Sequence, residues 1–409
     1  MRIGAKAAWI HGRELARDVS LEVENGVIAS IVVGDSSEAD ARVDLLLPGF
    51  INAHCHVEYT ALAGLLPRGN VAFGDWLDAI VGRKAQLSPA QIDSGIRDGV
   101  QQLLAGGCTS IIDSTTLSDV SYLASVPLRH FVLYELLGLS DARAGDRVDE
   151  SLPKLEPKSG PNASRLLGTG VNPHAPYSVG PALRERLKSL LADRPELLCA
   201  WHLAETGDEE ELLRECSGSI AEFLQRRGLP FPAEGVPASG RSAATELLNH
   251  AGLLERCDLA FHLNCGTDMD YQYFRAPRAV VHCPGTHAFF ERTAFPMAAV
   301  LGLGANVCLG TDSLASADTL SMLEVLRMAA QEFEFLSGPQ LLDMVTRNPA
   351  RIRGLIGDIS AAIGSLDVGH PADFVALSCE VNAMRSVREM LVDRETEICG
   401  VYIAGERAS

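Results

Sequence analysis

Roughly eight short apolar runs, each ending in a polar or ionisable residue and separated by stretches of helical period, constrain this chain more than any other feature. They are Leu46–His56, Cys108–Asp113, Phe131–Glu135, Leu166–His174, Leu198–Glu205, Leu259–Asn264, Ala279–His282 and Asn306–Asp312. Apolar runs this short fit strands covered on both faces. The stretches between them, such as Gly95–Ala105, Pro181–Ala192, Ser242–Leu254 and Leu320–Phe333, carry the apolar stripe of a helix packed on one side. About eight alternating βα units close into a parallel (β/α)8 TIM barrel, whose active site gathers at the C-terminal strand ends. Nearly every run here puts His, Asp or Glu at that end.

Both ends of the chain read differently. Val19–Glu24 and Val27–Val33 alternate apolar and polar residues around Asn25-Gly26, the pattern of a tight hairpin. Gly369–Leu377 and Ile398–Ala404 look like strands as well. The expected anatomy is a barrel of residues 50–365 and a small β-sandwich built from residues 1–49 and 366–409. Leu152–Asn162, with its Pro and Lys, reads as an exposed loop.

Composition narrows the function. At 409 residues the chain is long enough for a deep core, and 35 Lys plus Arg against 53 Asp plus Glu give a formal charge of −18. An acidic surface repels phosphate backbones and anionic lipid, so neither nucleic acid nor a membrane is an expected partner. The ten Cys include no CxxC pair and several lie in apolar runs, as buried thiols of a reducing compartment do. Polar His11–Glu14 interrupts the N-terminus before an apolar leader core can form, and the expected location is the cytoplasm.

The strand ends carry donors suited to a metal. His54 and His56 are two apart, and in a strand such residues point the same way, so both imidazoles can reach one ion. His202 and Asp312 end two further runs. Three neutral imidazoles and a carboxylate leave room for a water on a divalent ion, Zn2+ or Fe2+, which lowers the pKa of that water toward about 7. Glu205, three residues past His202, stands where a carboxylate can accept that proton and pass it to a leaving nitrogen.

Pro48–His56, His202-Leu-Ala-Glu205, Val281-His-Cys-Pro284 and Leu309–Ser313 together resemble the amidohydrolase superfamily, in its deaminase and chlorohydrolase branch, over nearly the whole chain. The resemblance implies metal ligation by His54, His56, His202 and Asp312, proton shuttling by Glu205, and a hydrogen bond from His262 to the attacking oxygen. Binuclear members carry a carboxylated Lys at the fourth barrel strand; here that run leads into Pro173-His174-Ala175, similar to the substrate-binding His of nucleoside deaminases, so one metal is expected. Methylthioadenosine and adenosylhomocysteine deaminases follow a Trp-Leu pair with a Glu that grips the ribose hydroxyls. Here Trp76-Leu77 leads instead to Arg83-Lys84.

Cations at that place, with Arg68 near by, suit a carboxylated nucleoside such as aminodeoxyfutalosine. Trp76, His174, Glu205, His282 and Arg83 are therefore the expected substrate contacts. A further departure is His287, in His282-Cys-Pro-Gly-Thr-His287, where the branch has Ser-Asn. The expected activity is metal-dependent hydrolytic deamination of an aminated purine nucleoside or related small heterocycle. The alternatives are triazine-type chlorohydrolysis or amide hydrolysis on the same residues, and a non-catalytic assembly protein; the oligomeric state stays open between a monomer and a homo-oligomer.

Overall fold

The alternating N-terminal residues form β1 (Arg2–Ile10), β2 (Glu14–Glu24), β3 (Val27–Val33) and β4 (Ala41–Pro48). Between β2 and β3, Asn25 and Gly26 both take positive φ, 51° and 80°, the geometry a two-residue hairpin turn requires. The structure, a computed structural model, describes the chain except residues 13, 37–38, 118–125, 141–143, 152–154, 156–164, 231, 233 and 353–362.

The barrel strands follow: β5 (Phe50–Cys55), β6 (Cys108–Thr115), β7 (Arg129–Leu136), β8 (Leu166–Pro173), β9 (Leu198–Leu203), β10 (Leu259–His262), β11 (Ala279–His282) and β12 (Val307–Leu309). They lie in sequence order in one eight-stranded parallel sheet. The chain returns through β13 (Phe374–Ser378), β14 (Glu397–Ile403) and β15 (Glu406–Arg407) to complete a seven-stranded sheet with β1–β4, so the second sheet is built from both termini. The run Leu46–His56 is thus not one strand: its first residues belong to β4 in the terminal sheet and the rest to β5 in the barrel.

The ring closes beyond β12. The backbone N–H groups of Thr311 and Asp312 both donate to His54 O, at 3.1 and 3.0 Å, and Cys55 bridges Asp312 in parallel register. Asn52 fastens the same seam, its Nδ2 donating to Thr311 Oγ1 at 2.8 Å while its Oδ1 accepts from Thr311 N at 3.1 Å. Gly310 permits this approach, because a Cβ there would lie 2.9 Å from His54 O.

Alternation along each strand sorts the core. Phe131, Leu133, Ala200, Phe261 and Val281 pack together inside the barrel, while their neighbours Val132, Tyr134, Trp201, Ala260 and Val280 join the layer between strands and helices. At the base of β7, Arg129 forms a two-pronged buried ion pair with Asp373, Nε to Oδ2 at 2.5 Å and Nη2 to Oδ1 at 3.0 Å, tying barrel to terminal sheet. Of the stretch expected as an exposed loop, Leu152–Asn162, only Leu155 is described; it is buried against the core rather than exposed, and the rest lies outside the described residues. All ten cysteines are free thiols. Among the described residues no helix is long and apolar enough to cross a membrane.

Candidate active site

The C-terminal strand ends converge on a cavity of about 560 Å³. His56, Glu135, His174, His202, Glu205, His262 and Asp312 line its polar end. Trp76 and Leu77 from the helix Phe73–Lys84, with Phe223 and Leu224 from the helix Gly218–Arg226, form its apolar wall.

His54 sits at the floor, fully buried, its ring stacked on Phe261 with centroids 3.8 Å apart. The rings of His56 and His202 lie 4.9 and 5.0 Å from it. Asp312 Oδ1 faces His54 Nε2 at 3.7 Å and His56 Nε2 at 4.0 Å, too far for hydrogen bonds. Asp312 Oδ2 accepts from Thr286 Oγ1 at 3.1 Å and Ser316 Oγ at 2.9 Å, which turns Oδ1 toward the histidines. His202 donates Nδ1–H to His174 O at 3.1 Å, leaving Nε2 as its lone-pair nitrogen.

These residues fit a divalent cation. Nδ1 and Nε2 of His54, Nδ1 of His56 and Nδ1 of His262 are buried with no hydrogen-bond partner, an arrangement that costs free energy unless the one lone pair of each neutral ring is taken up. The donor atoms of His54, His56 and His202 lie within 4.8 Å of one another, as do those of His54, His262 and Asp312. Burial, reinforced by the neighbouring histidines, holds the His54 and His56 pKa values well below the ordinary range, so both rings are neutral ligands near pH 7. Burial and the Glu205 charge push Asp312 up to about 6.

Four non-glycine residues at the site hold left-handed backbone: Ala204, His262, Leu263 and Asp312, with φ between 45° and 68°. Such conformations are costly and persist where surrounding bonds impose them. Here Leu263 N–H donates to Leu203 O at 2.9 Å and Cys265 N–H to Ala204 O at 2.8 Å, locking the turns that present Glu205 and His262. Glu209 Oε2 accepts Glu205 N–H at 3.0 Å, and Asn264 Nδ2 donates to Glu205 O at 3.0 Å. His262 Nε2 lies 3.8 Å from Glu205 Oε2 and 4.0 Å from Asp312 Oδ2. Burial raises the Glu205 carboxyl, but His262, which is charged only at the low pH where this carboxyl titrates, and the Arg292 guanidinium outweigh it and draw it down to about 2.

Of the other expected contacts, Trp76 and His174 line the cavity and His282 and Arg83 do not. His282 is fully buried behind the site, stacked on Phe295 at 4.4 Å and 4.7 Å from the His287 ring. Arg83 is exposed, one position before the residue that faces inward, and Arg68 is an exposed partner of Asp318. Lys84 takes the place expected of Arg83, yet its Nζ already donates to Glu58 Oε1, Tyr59 OH and Thr116 Oγ1 at 3.3, 2.9 and 2.8 Å.

Two residues escaped the sequence reading. Arg292 donates to Glu205 from a segment with no strand or motif to mark it. Glu135 was visible only as the last residue of an apolar run, and burial raises its carboxyl to about 8.

Comparison with known proteins agrees with this geometry. The chain is 29% identical over 350 residues to the 5-methylthioadenosine/S-adenosylhomocysteine deaminase of Pyrococcus furiosus, covering 81% of this chain and 77% of that protein. It is 27% identical to the protein of the same name from Teredinibacter turnerae, covering 98% of this chain and 90% of that one. The crystal structure of Helicobacter pylori aminofutalosine deaminase in complex with methylthio-coformycin superposes with a TM-score of 0.78 at 20% identity, covering 99% of both chains. The profile of the amidohydrolase family matches residues 45–407, and the chain belongs to that family.

Proposed function

We propose that the protein is a metal-dependent hydrolytic deaminase releasing ammonia from an aminated purine nucleoside, with His54, His56, His202 and Asp312 as ligands of one divalent metal. The observation that carries this reading is the pairing, at one end of a single cavity, of that donor set with a carboxylate, Glu205, and an imidazole, His262, that stand 3.8 Å apart. Nitrogen donors with one carboxylate favour Zn2+, with Fe2+ the alternative. The names of the two relatives support a nucleoside substrate.

A divalent metal held by His54, His56, His202 and Asp312 would supply Lewis acidity, lowering the pKa of a water toward about 7. Glu205, ionised and held by its backbone bonds and by Arg292, accepts the proton of the attacking water and delivers it to a ring nitrogen of the substrate, then carries the second proton of that oxygen to the amine, so that the C–N bond breaks and ammonia leaves. His262, kept neutral by burial with a pKa of about 3, faces the attacking oxygen and orients it. Trp76 and Phe223 bury the heterocycle and exclude water. In this reading residues 50–365 form the catalytic barrel, and residues 1–49 with 366–409 brace it, as the Arg129–Asp373 pair supports.

The test is ammonia release from adenosine, methylthioadenosine, adenosylhomocysteine, aminodeoxyfutalosine, guanine, cytosine and triazines by zinc-loaded protein. Turnover of a purine nucleoside is expected. Chloride release from a chlorotriazine with no ammonia from any nucleoside would replace this reading by the chlorohydrolase one.

A further inference from the structure

Glu135, one residue before the end of the wholly buried strand β7, lines the cavity and is only 9% exposed. Among the described residues its one hydrogen bond is a long contact from Asn172 Nδ2, 3.4 Å away. Beside it stands His174. Ser178 Oγ, which donates its own proton to Ala175 O at 3.0 Å, accepts His174 Nδ1–H at 2.8 Å, and this leaves His174 Nε2 as a bare lone pair. Glu135, His174 and His202 place donor atoms within 4.8 Å of one another.

In a largely apolar cavity the His174 lone pair and an oxygen of the Glu135 carboxyl have no close donor facing them, and leaving them so is costly unless the ligand brings donors. A ribose presents two O–H groups on adjacent carbons, a matched pair of donors for a carboxyl oxygen and an imidazole side by side. The acidic residue that would grip those hydroxyls after Trp76-Leu77 is absent, and Lys84, which stands near that position, is committed to Glu58, Tyr59 and Thr116. The end of β7 therefore holds an acidic group of the kind the helix lacks.

We propose that Glu135, with His174 beside it, is the specificity-determining residue that takes the vicinal hydroxyls of the substrate's sugar, so that the enzyme selects ribonucleosides over nucleosides without that diol. This rests on the nucleoside deaminase reading above. Each hydroxyl donates to one acceptor, and an analogue lacking both leaves the buried Glu135 and the half-buried His174 unpaired, which is the strongest form of discrimination a polar pocket has.

The test compares kcat/KM for adenosine and 2′,3′-dideoxyadenosine, with kcat and KM resolved, in zinc-loaded wild type, Glu135→Ala and the isosteric Glu135→Gln, and measures metal content in each. Wild type is expected to prefer adenosine by about 100-fold or more. In Glu135→Ala the preference falls to roughly 10-fold or less, chiefly through loss on adenosine in KM, with metal content unchanged. Glu135→Gln, which fills the same volume, falls between, and it decides the matter should the alanine variant not fold. Three results overturn the proposal: equal turnover of both nucleosides by wild type; an undiminished preference in the variants; or a second metal per chain that Glu135→Ala loses, which would make Glu135 and His174 a cation site. Deamination of neither nucleoside, with ammonia released from a free base, would instead overturn the nucleoside reading and this subsite with it.

Discussion

Arg292 Nη2 donates to Glu205 Oε1 at 2.8 Å across 87 residues of chain, and its guanidinium lies 4.5 Å from the centroid of the Phe290 ring. The pair is nearly buried, its side chains 13% and 10% exposed, so the cation acts on the carboxylate with little screening by water. Arg292→Ala removes one of the charges that outweigh burial at Glu205, so the carboxyl rises from about 2. A general base works only when ionised, so the acid limb of the pH profile of kcat/KM moves to higher pH. At pH 7 kcat falls by roughly 10-fold as Glu205 loses its fixed orientation. Arg292→Lys recovers part of both. An acid limb that does not move would show that Arg292 only fills space.

Metal content tests the donor set. Purified protein is expected to hold close to one divalent metal per chain, and His202→Ala or Asp312→Ala to lose it together with ammonia release. Chelation lowers thermal stability, since free metal at about 1,000 times its Kd stabilises the folded state by about 4 kcal/mol. Two tightly bound ions per chain by elemental analysis would be incompatible with a single centre.

Glu205→Gln keeps the shape and the backbone bonds of the residue and removes its ability to carry a proton. The variant is expected to retain its metal while kcat drops by about 100-fold or more. Metal loss on this substitution would reassign Glu205 as a ligand.

Arg83→Ala and Arg68→Ala are expected to leave kcat/KM within about twofold for every substrate turned over, because surface substitutions away from a site act weakly. Both side chains are exposed and neither lines the cavity. A tenfold loss in either variant would bring that arginine into the pocket.

Glu209 gives a pH dependence of stability. Burial, with the Glu205 and Glu210 charges, raises its carboxyl from 4.5 to about 8, against the backbone N–H donors that lower it. The folded state therefore holds this proton more tightly than the unfolded chain. The resulting stabilisation is complete below about 4.5 and is lost as pH rises through about 8. Glu209→Gln, which can still accept Glu205 N–H, does not share this loss, so its melting temperature gains on wild type by roughly 2 to 4 °C between those limits. Parallel melting curves across that range would contradict it.

The pattern of success and failure in reading this chain has physical causes. His54, His56, His202 and Asp312 were legible because strand alternation and strand-end position dictate where such side chains point. Arg83 was not, because one step along a helix turns a side chain through about 100°, and the phase of Phe73–Lys84 presents Lys84 to the cavity instead. His282 stands at a strand end as His202 does, yet its ring packs back onto Phe295, an orientation no spacing encodes. Arg292 reaches Glu205 only through the tertiary fold, and no local pattern marks it. The division of Leu46–His56 between two sheets was hidden in a largely apolar run, where only the pair Pro48-Gly49 marks the turn from β4 to β5.

The seam that closes the barrel has a consequence for how the centre comes into being. His54 O receives the N–H groups of Thr311 and Asp312, so the hydrogen bonds that join the first barrel strand to the last are made by the same residues that bring His54 and Asp312 within 3.7 Å. Contacts between residues this far apart in sequence form late, after the intervening loops have been ordered. During synthesis the histidines of β5 emerge with more than half the chain still to come, and they meet their carboxylate only when the ring shuts. On the proposed donor set, metal affinity is therefore a property of a finished circle rather than of any segment, and an ion that binds only that state would hold the circle closed.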